Sequence, residues 1–152
     1  MYAKILLCYD GSREGRLALR EGARLAQITG AKVTLLAVVE TGSGNACAIG
    51  ADAIALGQLQ SDLAEILEEG RQRLTGMGLS PQAQIAFGDP VATITRVSVE
   101  TEADLVVVGH HQHGFWTRWL SRSIAAELGD SLACSLLLAQ KIVEDSELFG
   151  KA

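Results

Sequence analysis

The stretch Asp104-Leu105-Val106-Val107-Val108-Gly109-His110-His111-Gln112-His113-Gly114-Phe115-Trp116 decides the fold. Leu105 to Val108 is apolar at every position and stops at a glycine. A strand with no polar residue needs cover on both faces, which is the condition of a parallel sheet between helices. A polar, imidazole-rich loop follows. Then Trp116, Trp119, Leu120, Ile124 and Leu128 recur at helical spacing. In a parallel α/β sheet, ligands bind beside the carboxyl ends of the strands. The loop after Val108 is therefore expected to form one wall of any site.

The same alternation runs through the rest of the chain. Ile5 to Tyr9 reads as a first buried strand, and Asp10-Gly11-Ser12 turns it into a helix. Ser12 suits an N-cap and Glu14 the first turn. Leu17, Ala18, Leu25 and Ile28 form that helix's apolar stripe, with Gly22 allowing close packing, and Thr29-Gly30 ends it. Val33 to Val39 is a second strand. The Gly- and Ala-rich segment 41–52 reads as a mobile connection, with a helix resuming around Leu59. Leu59, Leu63, Ile66 and Leu74 mark its buried side, while Asp62, Glu65, Glu68, Glu69, Arg71 and Arg73 cover the other.

Gln82 to Phe87 reads as a third strand. In Gly88-Asp89-Pro90, Asp89 can cap a helix whose first residue is Pro90, where a missing N–H needs no partner. Val91, Ile94 and Val97 mark its apolar face. Ala133 to Ala139 is the fifth strand, and a polar tail follows. The order β-α-β-α-β-α-β-α-β predicts an α/β fold with a parallel sheet and helices on both faces. Right-handed crossovers limit the topologies to a few, and a doubly wound five-stranded sheet of order 3-2-1-4-5 is the one expected. The 152 residues suffice for one domain, expected over 1–140, with 141–152 as a loosely held tail.

Composition removes several function classes. The net charge of −5 and the lack of a dense Lys/Arg stripe argue against a nucleic-acid partner. No apolar run approaches the roughly 20 residues of a membrane span. Met1-Tyr2-Ala3-Lys4 enters a strand at once, so no signal peptide is expected. Cys8, Cys47 and Cys134 form no CxxC pair, which fits reduced thiols and a cytoplasmic setting.

Residues 2 to 139 resemble the universal stress protein family. The resemblance rests on Ile5-Leu6-Leu7-Cys8-Tyr9-Asp10-Gly11-Ser12, Leu35 to Val39, Gly88-Asp89-Pro90, Asp104 to Gly109 and the last strand with Cys134, all in matching order and spacing. It implies an adenine nucleotide alpha-hydrolase-like fold. In family members that bind ATP, the strand-4 loop reads G-x2-G-x9-G-[ST]. Gly109 and Ser123 match that pattern, but Gln112 and Arg122 stand where two glycines are expected. Glycines let backbone N–H groups approach phosphate oxygens closely. Side chains at those two positions fill that space, although the Arg122 guanidinium is itself a phosphate ligand by type.

Gly109-His110-His111-Gln112 followed by Phe115-Trp116 resembles the universal stress protein A subgroup, considered not to bind ATP. The inserted His113-Gly114 and the retained Asp10-Gly11-Ser12 depart from it. The resemblance implies a non-catalytic stress-response regulator or binding protein with no cofactor. The alternative is a sensor of ATP or another adenine nucleotide. Its site would then comprise Asp10 on the ribose or adenine side and Val38 beside adenine. Val108 and Gly109 would flank base and phosphates, with Arg122, Ser123 and Ile124 at the phosphate tail. The plain reading of the same residues is a local turn at Asp10 and core valines at 38 and 108.

No enzyme is expected. Ser12 and Ser123 lack an evident base, and neither a G-x-S-x-G elbow nor a GxxxxGK[ST] phosphate loop is present. His110, His111 and His113 invite a metal reading, but no cysteine or carboxylate completes a ligand set nearby, so no metal is expected. Phe115, Trp116 and Trp119 are expected to seal a helix onto the sheet; exposed, they would offer a patch to protein partners. The last strand, about 133–139, is apolar yet falls at a sheet edge. Pairing with its copy in a homodimer would cover it, and the resemblance points the same way.

Overall fold

The computed structural model describes residues 1–11, 13–39, 51–109 and 122–140. Its strands are β1 (Lys4–Cys8), β2 (Lys32–Val39), β3 (Gln82–Phe87), β4 (Leu105–Gly109) and β5 (Ser135–Ala139). Its helices are α1 (Arg13–Thr29), α2 (Ala51–Gly76), α3 (Pro90–Glu100) and α4 (Arg122–Ser131). All strand pairs are parallel, in the expected order β3-β2-β1-β4-β5. β4 is buried throughout, set between β1 and β5 with Val106 level with Leu6 and Leu136.

Alternation along the strands divides the core in two. Ile5, Leu7, Leu35, Ala37, Leu105 and Val107 face one side and pack with residues of α1 and α2. Leu6, Cys8, Leu36, Val38, Val106 and Val108 face the other and pack with Ile94 and Val97 of α3 and Leu128 of α4. Gly22 lets α1 lie close on the sheet: a Cβ there would come 2.1 Å from Leu7 Cδ2. The α3 cap forms as its sequence requires, with Asp89 Oδ2 accepting a 2.9 Å hydrogen bond from the Ala92 amide.

One carboxylate ties the amino ends of the strands. Asp104 Oδ2 accepts from the Ala3 amide at 2.7 Å, and Oδ1 from the Lys4 amide at 3.1 Å. Its own amide donates to Lys4 O at 2.9 Å and its carbonyl accepts from Ser135 N at 3.2 Å. Asp104 therefore links β1, β4 and β5 before any of the three enters the core.

Three local expectations are corrected. Ile28 does not join the buried stripe of α1 but is 69% exposed in its last turn. Helix α2 begins at Ala51, not around Leu59, so Ala51 and Asp52 belong to it and not to the connection. Alanine is the best helix former, and here it extends a helix without an apolar stripe to announce it. β5 begins at Ser135, because ladder pairing starts where Ser135 meets Asp104 and Leu105, two residues after Ala133. The Ser12 cap, the connection over 40–50, the aromatic residues Phe115, Trp116 and Trp119, and the tail 141–152 lie outside the described residues.

Candidate functional site

The switch point of the sheet lies between β1 and β4, where chain connections leave in opposite directions. At its carboxyl end the Tyr9 amide donates to Leu36 O at 2.9 Å, carrying the β1–β2 ladder one residue past the strand. The same register continued puts Asp10 level with Val38. The chain then turns at Gly11, whose φ is +76°, a left-handed conformation that favours glycine. A Cβ at Gly11 would also meet Ile66 Cγ2 of α2 at 2.7 Å. The Asp10-Gly11 turn is thus set by both backbone and packing, and Asp10 stands half-buried at the crevice.

Across from it, Val108 is fully buried and Gly109 ends β4 beside Ala139. Val38 and Val108 belong to the same apolar cluster, and half-buried Ile124 of α4 packs against that cluster. The structure therefore brings together Asp10, Val38, Val108, Gly109 and Ile124, five of the seven residues expected to matter. Arg122 and Ser123 open α4; the directions of their side chains lie outside the described residues, as do His110, His111, Gln112 and His113.

At this end Val38 and Val108 are buried, Asp10 is half-buried beside them in register, and Ile124 of α4 packs against the same cluster. A carboxylate accepts from hydroxyl or amino groups, and helix amino ends favour negative charge.

Nothing among the described residues builds a nucleophile here. Burial pushes the Cys8 thiol up to about 12, with the negative charge of Asp10 adding to the rise. Such a thiol stays protonated and inert at neutral pH. Cys134 is half-buried, and its thiol is raised by burial first and by Asp104 second. Among the described residues no group of three or more His, Cys, Asp or Glu side chains is placed to hold a metal, and no helix is long and apolar enough to cross a membrane.

The sequence marks Tyr9 only as the end of the first buried strand; the structure adds where its ring lies. Its ring is buried on the α1/α2 side against Gly70, where a Cβ would come 2.7 Å from the ring. Its hydroxyl is buried without a hydrogen-bond partner of normal geometry. Burial raises its pKa, opposed by the nearby Arg16 guanidinium. Its place directly before Asp10 was the available signal: a large residue there fixes where the turn begins.

Comparison with known proteins settles the lineage. Residues 1–140 match the model of the universal stress protein family. The chain belongs to that family. It is 30% identical over 139 residues to universal stress protein Sll1654 of Synechocystis, covering 91% of this chain and 85% of that one. Its fold matches the universal stress protein UspA of Lactobacillus plantarum with a TM-score of 0.74 at 24% identity, over 91% of this chain and 97% of the other. A universal stress protein solved in complex with cAMP matches with a TM-score of 0.69 at 22% identity, over 90% and 96% of the two chains. The five-stranded sheet is thus the adenine nucleotide alpha-hydrolase-like fold of this family.

Proposed function

We propose that this universal stress protein is a non-catalytic stress-response regulator or binding protein whose crevice does not hold a triphosphate. The observation carrying the reading is the start of α4. Arg122 is its first residue, where the ATP-binding pattern has a glycine that lets phosphate oxygens reach the helix amides. Gln112 replaces the other glycine of the pattern. The protein is read as cytoplasmic and homodimeric, with β5 and its approach, residues 133–139, pairing with a second copy. Exposed Ser135 and half-buried Leu136, Leu137 and Leu138 support an edge in need of a partner.

A second reading is favoured by one observation. Asp10, Val38 and Val108 lie together at the switch point, and a structural neighbour was solved with cAMP. On that reading the crevice holds an adenine monophosphate and signals its level to partners.

Thermal unfolding with ATP and Mg²⁺, and separately with AMP and cAMP, separates the two. A ligand present at 100 times its Kd and bound only to the native state adds roughly 2.7 kcal/mol of stability. The first reading expects no shift with ATP. An ATP-dependent shift abolished by Asp10→Ala would overturn it, and a shift with AMP or cAMP alone selects the second. Sedimentation at micromolar concentration tests the dimer, and a monomer there rejects it.

A further inference from the structure

The opposite rim of the sheet carries a cavity of about 580 Å³, formed at the amino ends of β1, β2 and β3 under the carboxyl end of α3. That volume is in the range of small-molecule sites. The topology explains it. On this face α3 packs over β2 and against α4, while β3 has no comparable helix above it. The strand starts beneath are polar: Lys4, Lys32, Thr34 and Gln82 point to this face by the same alternation that sends Leu6 and Leu36 there. A strand buried on both faces would be apolar at these positions.

The lining carries two lysines and two glutamates, but they do not all pair off within the cavity. Lys4 and Lys32 are register partners on neighbouring strands, so two ammonium side chains start side by side on one face. Like charges placed so repel. One of them is answered by Glu102, which pairs with Lys4. Glu102 does so from a φ of +52°, a left-handed conformation that a non-glycine residue adopts only at a cost. Glu100, also on the wall, is taken by Arg96 at 2.6 Å. Among the described residues Lys32 has no acidic partner. Around it stand hydroxyl and amide groups of Thr34, Ser80 and Gln82.

We infer that this amino-end cavity is a second ligand site, for a small hydroxylated organic anion. Its phosphate or carboxylate sits against Lys32, with the flanking positive charge of Lys4 held in place by Glu102. Its hydroxyl groups meet Thr34, Ser80 and Gln82. The site shares no residue with the carboxyl-end crevice, so it stands whatever occupies that crevice.

The test is an amide NMR titration of the full chain with glycerol 3-phosphate and, separately, gluconate, with neutral glycerol as the control. The expected result is saturable shifts centred on Lys32, Thr34, Ser80 and Gln82 with at least one anion and none with glycerol. Lys32→Gln should then bind about tenfold more weakly, as expected for losing one charge-assisted contact. Saturation by one probe alone assigns phosphate or carboxylate as the recognised group. Shifts that fail to saturate with both anions, an equal response to glycerol, unchanged affinity in Lys32→Gln, or shifts centred on Asp10 and Val108 would each overturn the inference.

Discussion

The two rims of this sheet are built on opposite principles. At the carboxyl rim the strands stay apolar to their ends, with Cys8, Tyr9, Val38, Val39, Val108 and Gly109 all buried. At the amino rim β1, β2, β3 and β5 begin with Lys4, Lys32, Gln82 and Ser135, and only β4 begins apolar, with Leu105. Asp104 staples Ala3 and Lys4 to β4, and Lys4 and Lys32 lie open to a cavity. The apolar ladder holds one rim and the Asp104 staple holds the other.

The contrast breaks most visibly if one charge is moved between rims. Val108→Asp buries a carboxylate with no cation among the described residues of its core cluster and should cost about 3–5 kcal/mol in urea unfolding. Thr34→Asp places the same group half-buried beside Lys4 and Lys32 and should cost less than about 1 kcal/mol. Equal costs would mean that the amino rim is as dry as the carboxyl rim. The staple comes next. Asp104→Ala removes two acceptor contacts to backbone amides, one of them exposed, and should lower stability by about 2 kcal/mol. Asp104→Asn, which keeps one acceptor oxygen, should recover part of that loss.

The carboxyl rim also carries a pH signature. The folded Cys8 thiol is raised from 9.0 to about 12, mainly by burial. Below the ordinary value the thiol is protonated in both states, and its contribution is fully present. Above it the unfolded chain gives up the proton first, so this contribution is lost as pH rises toward the folded value. The slope is about 1.4 kcal/mol per pH unit across that window. Urea unfolding from neutral to strongly alkaline pH should show a shallower alkaline decline in Cys8→Ala than in the parent chain. Parallel curves would mean that the thiol reaches solvent in the native state.

Much of this architecture is legible in the residues themselves, and the reasons are local. The wholly apolar runs at Leu35 to Val39 and Leu105 to Val108 point to a covered parallel sheet, and topology rules then leave only a few strand orders. Gly88-Asp89-Pro90 specifies a helix start by its own chemistry. Ile28 misleads because an apolar residue at the right period reads as buried even in a last turn that overhangs the core. The start of α2 is hidden because alanines form helix without a polar and an apolar side. At the crevice, Asp10, Val38, Val108 and Gly109 are legible because strand ends converge at a switch point. The amino-rim cavity is not. Lys4, Lys32, Gln82 and Glu102 are far apart in the chain, and each alone is an ordinary surface residue.

The smallest effect tests whether the amino rim is arranged for charge or merely tolerates it. Glu102 lies one residue beyond Thr101, the C-cap of α3, at a place where glycine is the favoured residue. Its side chain is 78% exposed, so its bond to Lys4 is screened by solvent and contributes little to stability. Relief of the left-handed backbone should outweigh loss of that bond, and Glu102→Gly is expected to raise Tm slightly. The same change leaves Lys4 and Lys32 adjacent with one carboxylate fewer. Added phosphate should therefore stabilise the variant more than the parent chain, and the excess should shrink as ionic strength rises. A fall in Tm would instead show that the Lys4–Glu102 pair outweighs its strain. In that case the carboxylate is a stability element of the rim, and the repulsion between the two lysines is larger than their exposure suggests.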